Sequence, residues 1–137
     1  MEDAIAVAGC VILDDYGRIL LLHRNFGADG LWYLPGGKLQ EDETPEAAAL
    51  REIHEELGVQ VHLTKALAHD EFEHNDTGYV FYWFLAEVVQ GEPHIAEPEL
   101  FDDLEYVEIE DLASLGLSAA TEILHHKIVS GDIDLSA

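Results

Sequence analysis

The chain is expected to fold as an α/β protein of the α+β type, with a mixed β-sheet and helices on both faces. Three features point there. Strand-like runs come before and after a single central helix, and a second long helix closes the chain. The central helix carries both of its end signals. The longest apolar run, Tyr79-Val80-Phe81-Tyr82-Trp83-Phe84-Leu85-Ala86-Glu87-Val88-Val89, is aromatic and β-branched, the composition of a central strand buried on both faces.

Taken in order, residues 4–13 are nearly all apolar and read as a buried strand. Asp14-Asp15-Tyr16-Gly17 has the residues of a turn. Residues 18–24 return as a second strand, so the pair reads as a hairpin. Residues 25–30 are loop, and residues 31–34 a short extended piece stopped by Pro35-Gly36-Gly37. The helix that follows takes Thr44 as N-cap, Pro45 at its first position and Glu46 in its first turn. Ala49, Leu50, Ile53 and Leu57 recur at 3–4 spacing as its buried stripe, and Gly58 ends it. Residues 59–73 read as a strand, His74 to Gly78 as a turn, and the long apolar run as the next strand. Gln90-Gly91-Glu92-Pro93 turns the chain again. Residues 104–109 form a short strand, residues 111–115 a short helix, and residues 118–129 a longer one capped by Ser118. With no repeat or linker, residues 1–137 are expected to form one domain.

The net charge is −23, with 6 Lys and Arg against 29 Asp and Glu. A nucleic-acid polymer or an anionic membrane needs basic patches, so neither is expected as a partner. The acid excess suits a surface adapted to high salt, where screening relieves self-repulsion, or an ordinary acidic protein kept soluble by its charge. No apolar run reaches membrane-span length, and Met1-Glu2-Asp3 offers no positive leader. The single Cys10 sits in an apolar run and reads as a buried small hydrophobe. These features favour a cytoplasmic protein. Arg24, Lys38 and Arg51 cluster in or just before the central helix segment.

That segment carries the chemistry. Glu52, Glu55 and Glu56 stand at i, i+3 and i+4, so all three leave one helix face, different from the apolar stripe. Like charges at that spacing cost a few tenths of a kcal/mol per pair, about 0.2–0.5. A hard divalent cation that takes carboxylate oxygens would offset the cost.

Residues 37–59, GKLQEDETPEAAALREIHEELGV, fit the pattern G-x5-E-x7-R-E-U-x-E-E-x-G-U, with U aliphatic, at every fixed position. The chain therefore resembles the Nudix hydrolase family, and the LPGG before the box and the GEP turn after the long strand make it similar to the MutT-like members. The resemblance runs from the first strand to about residue 110. It implies the Nudix fold, an α/β/α sandwich, and hydrolysis of a pyrophosphate bond in a nucleoside diphosphate-linked substrate.

The resemblance also implies the site. Glu52, Glu55 and Glu56 form the metal face for Mg²⁺, with Mn²⁺ an alternative, and Glu56 is the surest ligand. Glu52 is either a ligand or the group that orients or deprotonates water. The backbone carbonyl of Gly36 is a further ligand. Glu97 is an additional ligand or base. Arg51 and Glu43 brace the loop against the helix through a salt bridge. Phe26, Trp32 and Tyr33 lie where a base could stack, and Arg24 and Lys38 where phosphates could be met. His54, at a free position of the box, is expected to face solvent. A (d)NTP pyrophosphohydrolase giving nucleoside monophosphate and pyrophosphate leads. ADP-ribose or a nucleotide sugar is the alternative substrate, and a non-catalytic nucleotide sensor the alternative class. A homodimer is compatible with the family.

Overall fold

The computed structural model describes residues 4–25 and 30–136. Seven strands and two α-helices follow in the order β1 (Ile5–Ile12), β2 (Ile19–Arg24), β3 (Trp32–Tyr33), β4 (Gly36–Lys38), α1 (Pro45–Leu57), β5 (Gln60–His74), β6 (Thr77–Gln90), β7 (Phe101–Val107) and α2 (Ala119–Val129). A 3₁₀ turn, Ile109–Ser114, stands where the sequence suggested a short helix.

The strands divide into two sheets. One has the order β4-β1-β6-β5, the other β3-β2-β7. The first is mixed, because β1 runs parallel to β6 while its other neighbour, β4, is antiparallel. The expected β1–β2 hairpin does not form. The turn is there, with Gly17 N donating to Asp14 O at 3.1 Å, but pairing stops at a single bridge, Leu13 to Ile19. Both edges of β1 are already taken, by β4 and β6, so β2 founds the second sheet with β3 and β7. Nor does the chain stop at Pro35-Gly36-Gly37, since Gly36 and Gly37 continue into β4 opposite Gly9 and Ala8.

Alternate residues feed two cores. Ala8, Cys10, Ile12, Leu20 and Leu22 pack with Ala48, Ala49, Ile53 and Leu57 of α1. Val11, Ile19, Leu21, Trp83 and Leu85 pack with Leu112, Ala120 and Leu124 on the opposite side. Strands buried on both faces with a helix on each side make the α/β/α sandwich. Burial of one Leu or Ile side chain stabilises such a core by about 1.5–3 kcal/mol.

The end signals of α1 behave as the sequence implied. Thr44 Oγ1 accepts from Ala47 N at 3.1 Å, and Gly58 adopts φ 70°, its N–H closing on His54 O at 3.0 Å. Ser118 caps α2 in the same way, accepting from Thr121 N at 3.3 Å. One stripe residue was misassigned. Leu50 is 43% exposed, and Ala48 is buried in its place beside Ala49. Helical spacing alone defines a stripe only to within one position, so the packing neighbour decides.

Candidate active site

Two backbone elements meet the C-terminal half of α1. β4 runs beside it, and Gly36 N donates to Glu56 Oε1 at 2.9 Å. At the far end of the helix, His94 N donates to Leu57 O at 3.1 Å and Ala96 N to Glu56 O at 3.0 Å. Those carbonyls have no partner within the helix. Their satisfaction docks the segment after β6 onto α1 and delivers Glu97 beside the box carboxylates. Glu97 O accepts from Leu100 N and Phe101 N, at 3.0 and 3.1 Å, which fixes the turn into β7. A Cβ on Gly37 would lie 2.5 Å from Glu52 Oε2, so a side chain there would displace the Glu52 carboxylate.

Arg51 is the hub of the loop side. Its Nε and Nη2 donate to the two oxygens of Glu43 at 2.8 and 3.0 Å. Nη1 donates to Glu52 Oε1 at 2.9 Å and to Glu55 Oε1 at 2.8 Å, and Nη2 also reaches Lys38 O at 3.0 Å. The bidentate grip holds the Glu43 carboxyl down at about 2. One guanidinium thus ties the box loop, β4 and α1 together, the bracing role that the sequence assigned to Arg51 and Glu43.

Glu56 departs from expectation. The sequence placed it on a helix face different from the apolar stripe. It is 6% exposed, because β4 and the 94–97 segment cover that side of α1. Burial, then the charges of Glu52 and Glu97, push its pKa well above the ordinary carboxylate value, with Gly36 N–H and Arg24 opposing. Burial also raises Glu52 against the pull of Arg51. Glu97 is raised by burial, Glu52, Glu55 and Glu99. Groups that perturb one another in this way are in electrostatic contact.

These carboxylates open into a cleft of about 1280 Å³. Gly36, Gly37, Lys38, Glu52, Glu55, Glu56 and Glu97 line one end, with Arg24 and Tyr33 beside them. The Arg24 guanidinium lies 5.5 Å from the Tyr33 ring centroid and 5.9 Å from that of Phe101. Trp32 is not among the lining residues. It packs on the second core, 4.8 Å from the His23 ring. Phe26 lies outside the described residues. His54 is exposed, as expected.

The far wall was not read from the sequence. Phe72, Tyr79, Phe81 and Trp83 form a ladder of rings 5.1 to 5.9 Å apart. All four line the cleft, as do Ala119, Ala120, Ile123 and Lys127 of α2. The long run is indeed a central strand, but only Trp83 to Ala86 are buried. The signal was present, since Tyr79, Phe81 and Trp83 alternate and so share one face. Even hydrophobicity along the run concealed it.

Among the described residues, no three His, Cys, Asp or Glu side chains already converge as a formed metal cage. Donor chemistry provides the fit. Glu52, Glu56 and Glu97 offer oxygen alone, and their mutual repulsion in a partly desolvated site is the condition a hard divalent cation relieves.

Residues 4–128 match the model of the NUDIX domain. The chain is 47% identical over 58 residues to a MutT-like protein of Streptomyces ambofaciens, covering 42% of this chain and 36% of that one. It is 35% identical over 91 residues to an 8-oxo-dGTP diphosphatase of Haemophilus influenzae, covering 65% and 67%. A MutT Nudix hydrolase of known structure from Burkholderia pseudomallei superposes with a TM-score of 0.79 at 35% identity, over 91% of this chain and 98% of the other. The matched stretch spans from 36% to 67% of the length of these sequence relatives. This chain belongs to the Nudix hydrolase family.

Proposed function

We propose that residues 1–137 form one catalytic domain that hydrolyses a (d)NTP to nucleoside monophosphate and pyrophosphate, with Mg²⁺ held by Glu52, Glu55, Glu56, Glu97 and the Gly36 carbonyl. The observation that carries the reading is that Glu52, Glu55, Glu56 and Glu97 line one cleft that also presents Arg24 and Lys38. Mg²⁺ bound there would neutralise charge building on the phosphoryl oxygens and acidify water. Mn²⁺, which also favours oxygen ligands, would substitute.

The residues take distinct parts. Glu97 accepts the proton of the attacking water as its oxygen bonds to phosphorus and the bridging P–O bond breaks. Glu52 is less suited to that part, because Arg51 already donates to its Oε1 at 2.9 Å. Burial and the charges of Glu52, Glu55 and Glu99 raise the Glu97 carboxyl from its ordinary value, the direction that favours accepting a proton. Arg24 and Lys38 meet phosphate oxygens. Tyr33 and the aromatic wall offer apolar surface to the base. The resemblance to an 8-oxo-dGTP diphosphatase favours a purine triphosphate. The substrate is a small nucleotide, and no helix of the described residues is long and apolar enough to cross a membrane.

Phosphate release from a panel of (d)NTPs, 8-oxo-dGTP, ADP-ribose and nucleotide sugars with Mg²⁺ tests the reading. Preference for a triphosphate with pyrophosphate as product supports it. Preference for ADP-ribose or a sugar nucleotide would transfer the same chemistry to the other substrate class. Inactivity of folded protein towards the whole panel would favour a sensor.

A further inference from the structure

Arg24 is aimed into the cleft from an irregular place. The β2–β7 pairing shifts there, so that His23 faces Asp103 while Arg24 faces Phe101. Asp102 is the extra residue of a β-bulge. Bulges re-aim a side chain at the expense of ladder hydrogen bonds. Here a side chain supplies the missing crosslink. His23 Nδ1 lies 2.6 Å from Asp102 Oδ1, and Nε2 lies 3.0 Å from Gly30 O. An ionised carboxylate and a backbone carbonyl can only accept. Both contacts are therefore satisfied together only when both ring nitrogens carry protons. A neutral imidazole keeps one and loses the other.

We propose that His23, as an imidazolium bridging Asp102 and Gly30, is a positioning residue that holds Arg24 in the cleft, and that substrate affinity falls when it deprotonates. The bridge joins the bulge of β7 to the chain just before β3. The next rung is Arg24 N donating to Leu31 O at 3.0 Å. Arg24 is thus held on both sides, with its guanidinium between the Tyr33 and Phe101 rings. Among the described residues, the charged groups around His23 are Asp102 and Asp103 on β7 and Arg24 beside it on β2. β3 contributes the uncharged ring of Trp32. The hydrogen bond to Asp102, that carboxylate's charge, the Gly30 carbonyl and Asp103 all raise the His23 pKa, against partial burial. The clamp is consequently closed below the ordinary histidine value and opens as pH rises through the raised one.

The consequence for substrate rests on Arg24 as a phosphate contact, whereas the protonation state of His23 does not. ¹⁵N NMR of the imidazole gives that state directly. His23 should titrate above the ordinary histidine value of about 6.5, with both ring nitrogens protonated below its midpoint, and Asp102→Asn should lower that midpoint. In parallel, KM for the preferred nucleotide should rise about tenfold through the same titration with kcat nearly constant. Asp102→Asn should move that rise to lower pH. His23→Phe keeps a ring against Trp32 but no donor, so its KM should be high and flat across the window. If the chain turns over none of the panel, a change of the Arg24 Nε–H resonance with His23 titration, absent in His23→Phe, supports the positioning role. A His23 midpoint at or below the ordinary value of about 6.5 would overturn the proposal. So would a wild-type KM profile in both variants, or an Arg24 resonance indifferent to His23.

Discussion

The two ends of the cleft are built by different physics. At the box end, charge and backbone hydrogen bonds fix each group. The single Arg51 guanidinium donates to Glu43, Glu52, Glu55 and the Lys38 carbonyl. At the far end, rings of Phe72, Tyr79, Phe81 and Trp83 stack on one another and line the cleft together with residues of α2. Directional contacts define a reaction, because they hold charge at set points. Stacked rings define surface and shape, and every base has a face to lay on them. The proposed function therefore assigns the reaction to one end and substrate preference to the other.

Variants should separate the two ends. The largest effect is expected from Glu56→Gln, a loss of about 10²–10³-fold in kcat, measured under saturating substrate and Mg²⁺. The fold should survive, because the amide oxygen still accepts from Gly36 N. Phe81→Leu at the other end should raise KM about tenfold and leave kcat near wild type. An equal fall in kcat there would dissolve the division of labour.

Glu43→Gln should lower thermal stability at neutral pH by breaking the bidentate pair with Arg51. Glu43 titrates low, at about 2, so its contribution is present above the unfolded carboxylate value and is lost as pH falls towards about 2. The gap in Tm between variant and wild type should close on acidification. The smallest effect belongs to Leu50→Gln, within about 0.5 kcal/mol by denaturant unfolding. Ile53→Ala, fully buried in the same helix, should cost about 2–5 kcal/mol.

The box end was the more legible in the sequence, for a physical reason. Caps, a C-terminal glycine and carboxylates at i, i+3 and i+4 are local patterns, and Thr44, Gly58 and Arg51 act as those patterns require. What escaped was nonlocal. Glu56 is buried because β4 and the 94–97 segment close over it, which no helical spacing reveals. Leu50 is exposed because Ala48 meets the sheet instead. β1 and β2 part because β1 already has two neighbours. The aromatic wall rests on alternation along β6, where Tyr79 and Phe81 stay half-buried at the cleft while Trp83 to Ala86 are buried.

The central claim, that the carboxylates of α1 and Glu97 form a divalent-cation site, is tested most directly without substrate. Mn²⁺ binding to wild type and Glu56→Gln, followed by electron paramagnetic resonance, with Mg²⁺ as competitor, isolates that step. The expected result is saturable binding to wild type, displaced by Mg²⁺, and weakened in the variant by at least the about 10–100-fold that loss of a supporting group costs a metal site. Equal binding by the two proteins would contradict it.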